Sequence, residues 1–326
     1  MNSERLLIWI FVSILAFTSC SRALPKEEAE KHLKAFDNEL IILSKQVSET
    51  MAYQAVHELF VIKNLPLPFQ YTSSDKKESG AYVYDFETRK GIYQYNDTTH
   101  LVMRTGESDS LIILFPFESK MDHWARFILM DYKEEVSAFG IMFPTKLAVK
   151  IEIQDHSILE LNSSTLMDHG FPVQSNTRIV FNKFRIGNQF ETKLSRRKGV
   201  IHQKLVFDSG DKTVLDLSSR IVATLSEQKQ LTFKKVEISG DIFPIHFTAK
   251  VNQGNIPPDA LNFVEEFNAN SNIEVFQQKG RKIGHVFLQE IPSVNRLNFT
   301  LRYSDGTTVQ LQKLLFGFDE IMNMKL

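Results

Sequence analysis

The feature of this sequence that most constrains its fold is the change in hydrophobic period near residue 81. From there to residue 312, runs of alternating apolar and polar residues follow one another, separated by short turns. In the clearest run, Leu147, Val149, Ile151 and Ile153 alternate with small or charged residues. A period of two places successive side chains on opposite faces of a strand, so one face is expected to be buried and the other hydrated.

Most links between these runs are too short for the crossover that parallel strands need, so neighbouring strands are expected to pair antiparallel. Long strand runs with few helices predict a meander, as a broad curved sheet, a half-barrel or a sandwich. The predicted strands are 81–86, 92–95, 100–104, 110–115, 126–132, 147–153, 157–161, 177–181, 189–194, 200–207, 214–225, 242–251, 273–277, 283–289, 297–303 and 308–312.

Glycine-bearing segments mark the predicted turns. Asp305-Gly306 between two alternating runs is the strongest hairpin signal in the chain. Arg89-Lys90-Gly91 predicts a hairpin between the strands 81–86 and 92–95, and Ile186-Gly187-Asn188 predicts a further turn.

Helical periodicity dominates the segment before residue 63. Apolar residues recur every three or four positions over 25–62, which makes one apolar stripe. Pro66 and Pro68 end this pattern, because proline removes a backbone donor and restricts the residue before it. The stripe either packs on the body of the protein or binds a partner. Further helices are predicted at 257–268 and 314–324.

The N-terminus carries a separate signal. An apolar run from Leu6 to Phe17 precedes Thr18, Ser19 and Cys20, the only cysteine of the chain. The run suits the core of a signal peptide and is too short to span a hydrocarbon layer of roughly 30 Å. A small residue before a cysteine is similar to a bacterial lipoprotein signal, in which Cys20 becomes the lipidated first residue. The alternatives are a secretory signal cleaved after Ala23 and an uncleaved anchor.

Composition excludes several classes of function. A formal net charge of −1 argues against nucleic-acid binding, which needs a basic surface. With Cys20 lipidated, no cysteine remains for a disulfide, for thiolate catalysis or for cysteine-ligated zinc. Stability must then come from burial, which 43% hydrophobic residues and 26 phenylalanines can supply. No metal site and no cofactor is predicted.

Several segments together resemble the uncharacterised cell-envelope lipoproteins of Bacteroidota. They are the cysteine signal at Cys20, the helix after it, and the segments 90–95, 111–116, 143–147 and 303–307. The resemblance implies a location and not a reaction: a lipid anchor on Cys20 in the bacterial cell envelope, with the protein on the periplasmic side. Ser21 after the cysteine favours the outer membrane.

Two sets of residues are candidates for a functional site. Aromatic residues of the first β segment could hold an acyl chain or another apolar ligand in a curved sheet, or fill a core under the N-terminal helix. These residues are Tyr82, Tyr84, Tyr93, Tyr95 and Phe115. The pair Asp168-His169 is the first candidate for a polar site, although solvated turn residues bonded to their own backbone explain it as well.

These observations predict a mainly β protein of the α+β class. An N-terminal amphipathic helix packs on a large antiparallel meander sheet or half-barrel, with a small C-terminal hairpin-and-helix region. The expected divisions are a signal peptide (1–19), a lipidated N-terminus and helix (20–68), a β body (69–240) and a C-terminal segment (241–326). The expected function is a membrane-anchored, non-enzymatic binding or structural module with an apolar ligand or an envelope protein as partner. The alternatives are a carrier of lipid or another apolar ligand, and a hydrolase with a loop-borne His/Asp site.

Overall fold

One β-sheet dominates the computed structural model of this chain. The structure describes residues 23–68, 84–117, 124–138, 140, 142–195, 198–225, 231–257, 260–278, 280–291 and 296–315. Within them the sheet has sixteen strands. They are β1 (Gly91–Asn96), β2 (Leu101–Gly106), β3 (Leu111–Pro116), β4 (Trp124–Val136), β5 (Met142–Ile153), β6 (His156–Asp168), β7 (Phe171–Phe181), β8 (Phe184–Ser195), β9 (Lys198–Ser209), β10 (Lys212–Leu225), β11 (Leu231–Ile242), β12 (Ile245–Val251), β13 (Ser271–Gln277), β14 (Lys282–Ile291), β15 (Arg296–Arg302) and β16 (Thr308–Gln310).

The strands follow chain order across almost the whole sheet. From β3 to β16 each strand pairs antiparallel with the next, as short links require. At the other edge, β1 lies between β3 and β2, parallel to β3 and antiparallel to β2. The predicted fold class, a large antiparallel meander with an N-terminal helix, is confirmed.

Four α-helices accompany the sheet in the described residues: α1 (Lys26–Ser48), α2 (Met51–Val61), α3 (Phe86–Arg89) and α4 (Phe263–Ala269). Helix α1 crosses the strands near one end, which we call the helix end of the sheet. Its Glu28 pairs with Arg281 in the β13–β14 turn, and its Glu39 accepts a hydrogen bond from Lys212 at the start of β10 at 3.0 Å. Its Gln46 accepts one from Lys183 in the β7–β8 turn, also at 3.0 Å.

The length of α1 matches this crossing. Its 23 residues extend about 35 Å at 1.5 Å per residue. Seven strand spacings, from β14 to β7, measure about 34 Å. The helix therefore lies nearly perpendicular to the strands and covers one narrow band of the sheet.

The buried core lies under the two long helices, in three clusters. The N-terminal half of α1, with Leu33 and Phe36, packs on β12–β15. The junction of α1 and α2 packs on Phe181 and Phe184 around the β7–β8 turn. Helix α2, with Leu59, packs on β3–β5 and forms the largest cluster. The amphipathic stripe predicted over 25–62 thus serves the core.

The predicted helix over 25–62 is interrupted at Thr50. The Thr50 hydroxyl accepts a hydrogen bond from the Tyr53 N–H at 3.2 Å and donates one to the Val47 carbonyl at 2.7 Å. Threonine in this position caps the start of a helix, so α2 begins anew in a different direction.

The predicted hairpin between 81–86 and 92–95 is wrong. Residues 81–83 lie outside the described residues, and Phe86–Arg89 forms the short helix α3. The Asp85 carboxylate accepts a hydrogen bond from the Thr88 N–H at 3.3 Å, which stabilises a helix start where the apolar alternation indicated a strand.

Three further expectations about secondary structure need correction. The segment predicted as one strand over 242–251 is split by a turn at Phe243-Pro244 into the ends of β11 and β12, and β11 as a whole was not predicted. Ile186-Gly187-Asn188, predicted as a turn, lies inside β8. The helix predicted over 257–268 is limited to Phe263–Ala269 in the described residues, and most of 314–324 lies outside them.

The division placed between residues 240 and 241 falls within β11, and the sheet continues across it.

Candidate functional site

The two faces of the sheet differ in charge between β7 and β13. The face that packs on the helices is identified by Ile179, Ile186, Phe207 and Ile245, which belong to the clusters formed with α1 and α2. Because side chains alternate along a strand, strand register then assigns each neighbouring residue to one face.

Three rows of cross-strand neighbours continue this helix-side face away from α1, and none of their side chains is charged. We call these rows the uncharged face. The rows are Thr177–Asn188–Leu205–Leu217–Gly240–Phe247–Val275, then Ser175–Phe190–Gln203–Ser219–Ile238–Ala249–Ile273, then Thr192–Ile201–Ile221–Val236–Val251–Ser271.

The opposite face, which we call the outer face, carries the charges of the same strands. Arg220 pairs with Glu237 across β10 and β11 at 3.1 Å, and Lys235 pairs with Glu237 at 2.6 Å. The hydrogen bond from Lys235 is the largest of the causes that hold the pKa of Glu237 below its usual value. Lys204 pairs with Asp216 at 3.4 Å. Such cross-strand pairs are typical of a hydrated sheet surface.

The outer face has two shallow hollows of about 400 and 440 Å³, which share His202, Ser218 and Ser219 among their lining residues. Their floor is the sheet backbone and their walls are polar side chains, several of them already ion-paired. This arrangement gives water access and no enclosed volume for chemistry.

The uncharged face extends well beyond the band that α1 covers. A helix is about 10 Å wide, whereas a twelve-residue strand is about 40 Å long. Ile201, Ile221 and Val236 are partly exposed, as are Arg220 and Glu237 on the outer face. Ser175, Gly240 and Val275 are buried, but the other members of these rows are at least partly exposed, so most of this described surface has solvent on both sides of the sheet.

Polarity changes along the uncharged face, which Ser163 and Thr165 extend onto β6 beside Thr177 and Ser175. Hydroxyl and amide side chains bond to one another on β6–β9: Ser163 to Thr177 at 2.7 Å, Thr165 to Ser175 at 3.0 Å, and Gln203 to Asn188 at 2.9 Å. Beyond Ser219 the rows are almost wholly apolar. The Ser219 hydroxyl is buried and has no hydrogen-bond partner among the described residues.

The structure places the predicted aromatic residues in the core under α2. Tyr84 and Phe115 are buried, Tyr93 and Tyr95 are partly buried, and all four belong to the cluster with α2. The Tyr93 hydroxyl donates a hydrogen bond to the Arg89 carbonyl at 3.0 Å, and the Tyr95 hydroxyl bonds to His100 Nδ1 at 2.9 Å. Tyr82 lies outside the described residues.

Tyr84 also borders a hollow of about 600 Å³ beside α3. The Tyr132 hydroxyl donates a hydrogen bond to Glu134 at 2.6 Å in its wall, and Tyr84 and Tyr132 make an edge-to-face contact. Burial, followed by this hydrogen bond, raises the pKa of Tyr132 far above the usual tyrosine range. The Tyr84 N–H bonds to the same carboxylate, so Glu134 is held by structural contacts.

Asp168 and His169 lie together at the β6–β7 turn, with His169 Nδ1 2.6 Å from an Asp168 carboxylate oxygen. The His169 side chain is 91% exposed, which leaves the pair in solvent rather than in a cleft. The sequence has two further Asp-His neighbours: Asp122-His123 lies outside the described residues, and Asp155, next to His156, forms an ion pair with Arg126 at 2.8 Å. A pair that the sequence did not single out, Asp241 and His246, meets across β11 and β12 at 3.0 Å.

The described residues contain neither a metal-binding group nor a membrane-spanning helix. No group of three or more His, Cys, Asp or Glu side chains is arranged to hold a metal ion. Among the helices of the described residues, none combines the length and the apolarity needed to cross a membrane.

Cys20 lies outside the described residues, but the chain enters the fold immediately after it. Leu24 is completely buried; its N–H donates to the Lys282 carbonyl at 2.8 Å, and its carbonyl accepts from the Ser304 hydroxyl at 2.8 Å. The folded body is thus fixed at a point four residues after Cys20, at the helix end of β14 and β15.

Sequence reasoning missed the uncharged face, although its signal is present. In each strand from β7 to β12, the charged residues within the paired rows occupy one parity only, such as Arg185 and Glu191 on β8 or Arg220 on β10. Counting charge by parity over consecutive strands would have identified this face.

A scan against protein-family models finds no match, and neither does a search of the curated proteins or of the solved structures.

Proposed function

We propose that this protein is a membrane-anchored, non-enzymatic lipoprotein of the bacterial cell envelope that acts as a binding module, with the uncharged face as its binding surface. The observation that supports the binding role most directly is the apolar part of this face on β9–β12. Soluble proteins rarely leave a broad apolar surface uncovered unless something binds there.

The position of Leu24 supports the anchoring role. Four residues of extended chain span at most about 14 Å, so a lipid on Cys20 would hold Leu24 within that distance of the bilayer surface. Because Leu24 is locked between Lys282 and Ser304, the folded body has little freedom to move away. More than one acyl chain on the anchor gives stable attachment, whereas a single chain gives marginal attachment.

Metabolic labelling with an alkyne fatty acid tests the anchor. We expect the full-length protein to take up the label and to sediment with membranes, and the Cys20→Ser variant to lose both properties. A wild-type protein that is exported without label, and that fractionates in the same way as Cys20→Ser, would contradict the proposal.

A further inference from the structure

The uncharged face divides into two parts of different chemistry. Across β6–β9 it presents mainly hydroxyl and amide groups, with Phe190 and Leu205 among them; the polar residues are Ser163, Thr165, Ser175, Thr177, Asn188 and Gln203. Across β9–β12 it presents Ile201, Ile221, Val236, Ile238, Phe247 and Val251. Ser219 on β10 lies next to both parts, opposite Gln203 on one side and Ile238 on the other.

We infer that this face binds an amphiphilic lipid with an uncharged, hydroxyl-bearing head group. Its acyl chain lies across β9–β12, and its head lies over the hydroxyl and amide groups of β6–β9. The inference rests on the proposed function, because it names the ligand class of the same binding surface.

The dimensions agree with one acyl chain. The apolar part crosses three strand spacings, which measure about 14 Å. A chain that fills one leaflet of a hydrocarbon core of roughly 30 Å is about 15 Å long. The chain would replace water over side chains that are now partly exposed, and burial of apolar surface drives such binding.

The absence of charge on this face selects the head group. A carboxylate or a phosphate placed here would lose water without gaining an opposite charge from the three rows, which is costly. A head with hydroxyl groups can exchange hydrogen bonds with the Ser163–Thr177 and Thr165–Ser175 pairs.

Photo-crosslinking with a diazirine-bearing monoacylglycerol tests the inference, with a free fatty acid of the same chain and diazirine as the charged comparison. Full-length protein is labelled in the cell fraction that contains it, and the modified peptides are mapped by mass spectrometry. We expect label on β9–β12 and at least about tenfold less labelling by the fatty acid near neutral pH.

Neighbouring residues on opposite faces provide matched variants. Ile221 faces the uncharged side of β10, and Val222 the outer side; Ile201 and Val200 repeat this arrangement on β9. We expect Ile221→Asp and Ile201→Asp to reduce labelling about tenfold, and Val222→Asp and Val200→Asp to change it less than twofold. Circular dichroism identifies any variant that fails to fold, and the second pair then decides.

Any of the following results would overturn the inference. The first is equal loss of labelling in variants of both faces, or equal labelling by both probes. The second is label confined to α1 and α2. The third is a dimer in sedimentation that Ile221→Asp, but not Val222→Asp, converts to a monomer, because a second copy would then occupy this face. Each of these can occur while Cys20 carries its lipid, so failure here is distinguishable from failure of the anchor.

Discussion

At the scale of single residues, Leu24 connects the N-terminal segment to the sheet. Its side chain is completely buried beside Ile283, Leu301 and Tyr303, and both of its backbone polar groups are bonded. Side chain and backbone therefore act together to fix the start of the fold, and the position is sensitive to loss of volume.

We expect Leu24→Ala to lower the free energy of unfolding by about 2–5 kcal/mol, because it leaves a cavity in the core. Ile42→Ala is the matched control on the same segment: its side chain is 52% exposed, and its effect should stay within about 0.5 kcal/mol. Urea denaturation of both variants measures the difference. Equal effects would contradict the burial of Leu24.

Tyr303 provides a test by pH. Burial raises the pKa of Tyr303 to about 12, and its hydroxyl has no hydrogen-bond partner among the described residues. The folded state therefore holds this proton more tightly than the unfolded chain, where the pKa is about 10. The contribution is complete below pH 10 and is lost as the pH rises from 10 towards 12.

Tyr303→Phe should consequently be nearly neutral at pH 7 and should lose less stability than wild type between pH 9.5 and 11.5, by about 1–2 kcal/mol. The measurement is urea denaturation of both proteins over this pH range. Parallel stability curves for the two proteins would show that Tyr303 titrates normally.

At the scale of elements, two glycines in different strands of the sheet have opposite roles. A Cβ at Gly240 on β11 would lie 2.1 Å from the Asp216 carbonyl oxygen and 2.8 Å from the Leu217 Cα, both backbone atoms of β10. A Cβ at Gly187 on β8 would meet nothing within 4 Å. Gly240 therefore permits the close approach of β10 and β11, whereas Gly187 borders open space.

Gly240→Ala should therefore destabilise the protein by more than about 2 kcal/mol, since two strands must separate to admit the methyl group. Gly187→Ala should be neutral or stabilising by about 0.5–1 kcal/mol, because it removes the entropic cost of glycine in a strand. Thermal denaturation of the two variants decides. A stable Gly240→Ala protein would contradict the register of β10 and β11.

The elements also show which parts of the fold the sequence predicts. Alternation identified most strands, because one face of each is charged or polar while the other meets the helices. It failed where local chemistry outweighed the pattern. Gly187 indicated a turn, but the chain reverses at Asn182-Lys183, where Asn182 has φ 48° and Phe181 and Phe184 lie in contact. Thr50 divides the predicted helix into α1 and α2, and Asp85 starts a helix where alternation indicated a strand.

At the scale of the whole molecule, one helix serves a sheet that is much larger than itself. The helix α1 covers a band across β7–β14, and the strands continue beyond it with charge on one face only. Composition and alternation predicted the sheet. The uncharged face is apparent from the sequence only when the parity of charged residues is compared over several consecutive strands, which alternation within single strands does not reveal. The function that we propose depends on this face being uncovered.

Thiol labelling of single-cysteine variants measures this directly. The Cys20→Ser variant, which has no cysteine, is the blank, and Ile221→Cys and Val222→Cys introduced into it report the two faces of β10. We expect both cysteines to react with a maleimide at rates within about tenfold of each other, because Ile221 and Val222 are both partly exposed. Ile221→Cys reacting more than a hundredfold slower than Val222→Cys would mean that another part of the chain covers the uncharged face, and would contradict the account.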